Sequence, residues 1–271
     1  MIPAEFDYVR PESVEAAVAL LGERGDEASV LAGGHSLLPL MKLRFAVPDL
    51  LIDIGRLEEL QYVRVEGDEI AIGAATRHAT LETSELLHTE CPLLAAVART
   101  VGDPQVRHRG TLGGSLAHAD PASDLPAAAL ALDATVVLVG PRGERRVPAT
   151  GFYTGVFSSV KEPDELLIEV RVPRTGAAGW AYEKFTRRAN DWAIVAVAVV
   201  DGRVGLVNMG PTPLRASATE AALARGASID EAAALADQGT DPPADLAGTT
   251  EYRRHLARLL TRRALTTAHD R

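Results

Sequence analysis

The stretch AGGHSLLPLMKLR, residues 32–44, decides how this chain is read, and RGTLGGSLAHADPASDLP, residues 109–126, repeats its logic further on. In the first, Gly33-Gly34 follows a short apolar run, and Pro39 forbids a long helix beyond it. Glycines let the backbone turn through conformations closed to other residues and approach a ligand closely, so that amides can point at phosphate oxygens. Ser36 adds a hydroxyl at the start of a short helix, where the helix dipole also favours an anion. The second loop offers Thr111, Leu112, Gly113, Gly114 and Ser115 in the same arrangement. Either Gly-Gly pair alone also reads as an ordinary tight turn. Two of them, 80 residues apart from Gly33 to Gly113, suit one ligand with two neighbouring phosphates, and that ligand is a dinucleotide.

Working outward, Val14, Ala17, Val18 and Leu21 follow helical spacing, with Gly22 or Gly25 as the stop. Residues 28–32 and 50–54 read as buried strands, and Val63, Val65, Ile70 and Ile72 as a hairpin turning at residues 66–68. Short helices are expected near 79–87 and 93–101, then strands at 135–139 and 166–172 separated by a polar turn at 141–143. The composition shifts at PRTGAAG, residues 173–179, which marks a domain boundary. Beyond it, residues 180–187, 192–200 and 203–209 read as three antiparallel strands, with Asp201-Gly202 as a hairpin turn. Helices follow at 216–225, 230–237 and 252–268. Arg253, Arg254, Arg258, Arg262 and Arg263 make the last helix basic, which reads either as a solvated face or as a docking surface for an acidic partner.

The 271 residues carry 28 Lys+Arg against 37 Asp+Glu, a net charge of −9, with 46% apolar and 24% charged residues. That is a globular composition, long enough for two compact units. The acidity argues against nucleic acid or an anionic membrane as a partner. The single cysteine, Cys91, cannot form an intramolecular disulfide or hold an iron–sulfur cluster or thiolate zinc by itself, so any such centre belongs to another chain. The start, MIPAEFDYVRPESVEAA, lacks a basic segment followed by an apolar one, and no apolar run approaches the length of a transmembrane span, so a cytoplasmic location is expected. No P-loop, GxGxxG, GxSxG or HExxH motif is present. His35 and His118 lie in the two loops, but without acidic or thiol ligands at regular spacing they read as packed side chains or as neighbours of the ligand. No metal site is expected.

The two loops, with IGAATRHATLE at 72–82 and YEKFTRRANDWAIVAVA at 182–198, resemble the FAD-binding medium subunit of the molybdenum hydroxylases, the family of carbon monoxide and xanthine dehydrogenases. The resemblance covers the whole chain in order. It implies an α+β protein: a two-lobed FAD-binding fold of the vanillyl-alcohol oxidase (PCMH) type over residues 1–174, with lobes of about 1–56 and 57–174. A C-terminal domain of the CO dehydrogenase flavoprotein type would follow over 175–271, built on a three-stranded antiparallel sheet with helices. Carried over by position, Ala32, Gly33, Gly34, His35 and Ser36 would wrap the FAD pyrophosphate from one side and Thr111, Leu112, Gly113, Gly114 and Ser115 from the other. Asp124 matches an acid that binds the cofactor, against a competing role as a helix cap. Leu167 matches a position whose backbone meets the flavin, or is a plain strand residue. Lys184 would stabilise negative charge on the reduced ring, or lie on the surface. Trp192 stands where several relatives carry tyrosine and would cover the isoalloxazine, or belong to the core.

The function implied is redox relay: FAD receives electrons from a partner's [2Fe–2S] clusters and passes them to NAD⁺ or a quinone, with no catalytic side chain. An iron–sulfur small subunit and a molybdopterin large subunit are the implied partners. Alternatives are a self-contained flavin oxidoreductase of the same fold, or a non-catalytic flavin-carrying assembly module.

Overall fold

The structure, a computed structural model, describes residues 2–271. Three sheets organise it. The first is small and parallel, in the order β1 (Asp7–Val9), β3 (Leu50–Asp53), β2 (Ala28–Leu31). Helix α1 (Val14–Arg24) covers it, capped where the Ala16 amide donates to Ser13 Oγ at 3.1 Å and stopped by Gly25 at φ 51°. Its periodic face buries Ala17 and Leu21 on Ile52 and Ile54. Strand β1 escapes the sequence because its three residues are too few, and too exposed, to show an alternation. Helix α2 (Leu37–Leu43) leaves the first glycine loop and ends at Arg44, which takes a left-handed conformation.

The second sheet is antiparallel, in the order β4 (Val63–Glu66), β5 (Glu69–Gly73), β10 (Leu166–Pro173), β6 (Thr135–Gly140), β7 (Gly143–Pro148); a two-stranded ribbon of β8 (Tyr153–Gly155) and β9 (Ser158–Ser159) precedes β10. The β4–β5 hairpin forms as its alternation requires, with Val65 opposite Ile70. Strand β7 is missed by the sequence because it is a polar edge: of GERRVP only Val147 is buried. Helices α3 (His78–Thr83), α4 (Glu85–Glu90), α5 (Pro92–Arg99), α6 (Pro104–Arg109), α7 (Leu112–His118) and α8 (Asp124–Ala131) complete this unit, and its core runs from Ile70 and Ile72 through Leu93 and Leu116 to Leu138 and Phe152. Cys91 lies in that core, where burial pushes its thiol up to about 12.

The third sheet corrects an expectation. It has four antiparallel strands, β11 (Trp180–Phe185), β12 (Val195–Val200), β13 (Arg203–Val207) and β14 (Leu214–Arg215), where three were expected. The fourth is two residues directly after Pro213, too short to register as a strand, yet Leu214 pairs with Leu206. Strand β12, VAVAVV, is buried on both faces. One face of the sheet packs on α8, so tightly that a Cβ on Gly205 of β13 would overlap the carbonyl of Ala127. The other packs on the last of helices α9 (Ser217–Ala224), α10 (Ile229–Ala233) and α11 (Thr250–His269), through Leu256, Leu260 and Ala264.

Three of the five arginines of α11 are tied to their own unit, while Arg262 and Arg263 are exposed. Arg253 is 1% exposed; it donates to the Ile194 carbonyl and to both oxygens of Asp245 at 2.7 and 2.8 Å. Arg254 donates to the Thr240 carbonyl at 3.1 Å, and Arg258 pairs with Asp237. These charges pin the helix to its own unit, so the reading of a free basic docking surface does not hold for them.

Candidate cofactor cleft

A cleft of about 710 Å³ opens where the three sheets meet, and both glycine loops line it. Thirteen of the fourteen residues singled out in the sequence reach its wall: Ala32, Gly33, Gly34, His35, Ser36, Thr111, Gly113, Gly114, Ser115, Asp124, Leu167, Lys184 and Trp192. The exception is Leu112, whose side chain is buried in the core beneath the second loop.

The two loops are not equivalent. In the first, Gly34 sits at φ 82°, a conformation that favours glycine. The amides of Gly33, Gly34, His35 and Ser36 find no acceptor among the described residues. Ser36 stands at the start of α2 without capping it through its side chain. In the second loop the amides are already taken: Leu112 donates to Thr76 O, Gly113 to Ala74 O, Gly114 to Thr111 Oγ1 and Ser115 to Thr111 O, at 2.9–3.1 Å. The expectation that both loops offer bare amides therefore holds for the first only. The second is a capped helix start that presents the surface of Gly114 and the hydroxyl of Ser115.

The loops also touch each other. A Cβ on Gly33 would overlap the carbonyl oxygen of Arg109, and one on Gly113 would lie 2.6 Å from Ala74 Cβ. Arg77 straps the same junction, donating to Arg109 O at 2.5 Å and to Gly55 O at 3.0 Å.

Asp124 and Lys184 are read separately in the sequence, but the structure joins them. Lys184 Nζ donates to Asp124 Oδ2 at 2.8 Å and to Thr100 O at 3.0 Å, while the Tyr182 hydroxyl donates to Asp124 Oδ1 at 2.5 Å. The capping role for Asp124 is overturned: Ser123 is the cap residue of α8, with no side-chain cap bond, and the Asp124 carboxylate is fully engaged with β11. Burial raises the Asp124 pKa, and Lys184 and Tyr182 pull it back. Trp192 is 59% exposed, so it is not a core aromatic; it sits in the loop ahead of β12, which starts three residues later than its apolar run suggested.

Two cleft residues escape the sequence reading. His78 is 5% exposed, and neither ring nitrogen has a hydrogen-bond partner. Burial pulls its pKa down to about 4, the Thr111 backbone opposes this, and His35, Arg107 and Arg77 add to it. Lys161 lines the wall beside Glu165 and Leu166. Nothing within the stretch 72–82 sets His78 apart, and no local motif marks Lys161. His118, at the end of α7, packs its ring on Phe157 with centroids 5.0 Å apart.

Unpaired amides, an unpartnered buried imidazole and a fixed ammonium in one cleft suit an anionic ligand. Comparison with known proteins agrees. Residues 4–175 match the family described as "FAD binding domain in molybdopterin dehydrogenase", and residues 180–268 match "CO dehydrogenase flavoprotein C-terminal domain". The chain is 45% identical to the carbon monoxide dehydrogenase medium chain of Hydrogenophaga pseudoflava, over 100% of this chain and 99% of that one. It is 40% identical to the 6-hydroxypseudooxynicotine dehydrogenase complex subunit alpha of Paenarthrobacter nicotinovorans, over 100% and 97%. Among solved structures, it superposes on a chain of the H. pseudoflava carbon monoxide dehydrogenase lacking the Mo-pyranopterin moiety, with a TM-score of 0.96 and 46% identity, covering 100% and 99% of the two.

Proposed function

Because the chain belongs to the family of FAD-binding medium subunits of molybdenum hydroxylases, we propose that it is the electron-relay subunit of such a complex. It is an oxidoreductase flavoprotein, and FAD is its cofactor. When bound, FAD supplies the redox chemistry, between the [2Fe–2S] clusters of a small partner subunit and NAD⁺ or a quinone, while a molybdopterin large subunit oxidises the substrate. We divide the chain into an FAD-binding unit over residues 1–174, with lobes of about 1–56 and 57–174, and a C-terminal unit over 175–271. Among the described residues no helix is long and apolar enough to cross a membrane, and the reading places the complex in the cytoplasm.

The observation that carries the reading is the set of free amides at residues 33–36, facing the helix start at Thr111–Ser115 across one cleft. Those amides, with the Ser36 and Ser115 hydroxyls, hold the pyrophosphate. Lys184 has three N–H donors, of which Asp124 and Thr100 take two; the third serves the electron-rich edge of the flavin. Asp124 and Tyr182 fix that ammonium in place, and Trp192 covers the ring. No side chain needs to act as acid or base.

The test is the flavin content of the purified full-length chain. One FAD per chain is expected, released intact on denaturation, and co-expression with the neighbouring small and large chains should yield a complex reducible by the substrate. A chain that takes up no FAD overturns the reading. Oxidation of the reduced complex by NAD⁺ or by a quinone identifies the acceptor.

A further inference from the structure

The cleft extends past the phosphate loops. Strand β2 delivers Gly33–Ser36 at its C-terminal end, but Ala28, Ser29 and Asp26 at its other end line the same cleft. Its four residues span about 13 Å at about 3.3 Å each. Lys161 stands at that far end, close enough to Asp26 for the two charges to interact, while Lys184 and Trp192 stand by α8 and the third sheet.

Lys161 is built like Lys184. Its ammonium donates to Glu162 O at 2.9 Å and to Glu165 O at 3.2 Å, which leaves one of three N–H donors for the cleft. It differs in having no ion pair: among the described residues no carboxylate oxygen lies within 4 Å of its nitrogen. The adjacent Glu165 carboxylate is taken by Arg145 at 2.6 and 2.7 Å and by the Glu162 amide at 2.8 Å. Burial lowers the Lys161 pKa, and the surrounding carboxylates of Glu165, Asp164, Glu162 and Asp26 oppose this. A half-buried ammonium without a contact anion is an unfavourable arrangement unless a ligand completes it. The cleft lining includes Leu21, Val30 and Leu166 of the apolar cluster under the first sheet, together with Ser29 at the far end of β2, a wall that suits a flat ring with a polar edge. Trp192 is the one indole or phenyl ring on the cleft wall, so the larger, electron-accepting ring belongs at its end and the purine belongs here.

We propose that Lys161 selects FAD over FMN: it holds the adenosine half, donating its free N–H to an acceptor nitrogen of the adenine ring. The inference rests on the FAD reading above and adds to it the residue that favours the dinucleotide over a mononucleotide.

The test uses the full-length chain stripped of flavin and titrated with FAD and with FMN. In Lys161→Met, FAD affinity falls about tenfold or more, FMN is bound as in the wild type, and the absorption spectrum of bound FAD is unchanged; Lys161→Arg recovers most of the loss. In the unaltered chain, saturating FAD shields Lys161 from an amine-acylating reagent and FMN does not, a readout that needs no variant. Unchanged FAD affinity in Lys161→Met, an equal loss for FMN, or acylation of Lys161 in the FAD-loaded chain each overturns the proposal. Failure of the wild type to bind FAD at all instead overturns the reading beneath it.

Discussion

At residue 33 a neighbour, not the turn, demands glycine, because the Arg109 carbonyl occupies the space a Cβ would need. Gly33→Ala should force the two loops apart at a cost of about 1–3 kcal/mol, lowering the melting temperature and releasing FAD together. Gly114 is exposed, and a Cβ there meets the Thr111 hydroxyl at 2.6 Å. Gly114→Ala should therefore disturb the cap by about 1 kcal/mol and weaken FAD retention with a smaller change in melting temperature. Equal thermal losses in the two variants would contradict this ranking. His78 supplies a pH dependence. It binds a proton at about 6.5 when unfolded and about 4 when folded, so the unfolded state holds more protons between those values. Stability present above pH 6.5 is then lost as the pH falls towards 4, by on the order of 3 kcal/mol. Denaturant titrations at pH 7 and pH 5 should show that slope in the wild type and a shallower one in His78→Gln. The sequence displays glycines and hydroxyls as a local pattern, which is why the loops were legible. His78 and the Asp124–Lys184 pair were not, because what defines them is burial and a partner 60 residues away.

On α11, the same five arginines that make the sequence look like a docking face divide by what they touch. Arg253 is buried on Asp245, a carboxylate that remains half exposed, so Arg253→Met should cost about 3 kcal/mol, near the lower end for a broken buried pair. Arg258→Glu sets two acids together at Asp237 and should destabilise the isolated chain before any effect on assembly is visible. Thermal unfolding of the chain without partners checks both, and unchanged midpoints would restore the surface reading. Elements with a strong period were readable: α1, the β4–β5 hairpin and the apolar run of β12. Strands β1, β7 and β14 were not, because a three-residue strand, a polar edge and a pair of residues after a proline carry no alternation.

For the molecule as a whole, the cleft wall draws on all three sheets, so the cofactor should act as a tie between them. FAD at about 100 times its dissociation constant adds about 2.7 kcal/mol, and at about 2–4 °C per kcal/mol the loaded chain should melt roughly 5–10 °C above the flavin-free one. A loaded chain that melts with the empty one would mean that the cleft tolerates opening. The overall architecture was legible because both loops and the shift at residues 173–179 lie in the chain in order; the packing of α8 between two sheets was not, since nothing local marks which face of β12 it covers. That packing has a consequence for biosynthesis. The Lys184 bond to Thr100 joins segments 84 residues apart, and the Tyr182 bond to Asp124 joins segments 58 apart. Contacts so distant along the chain form late, and residues 180–192 leave the ribosome well after both glycine loops. The nascent polypeptide thus carries its phosphate loops for some time before the flavin end of the cleft exists. Cofactor capture becomes a final step of maturation, governed by when β11 docks.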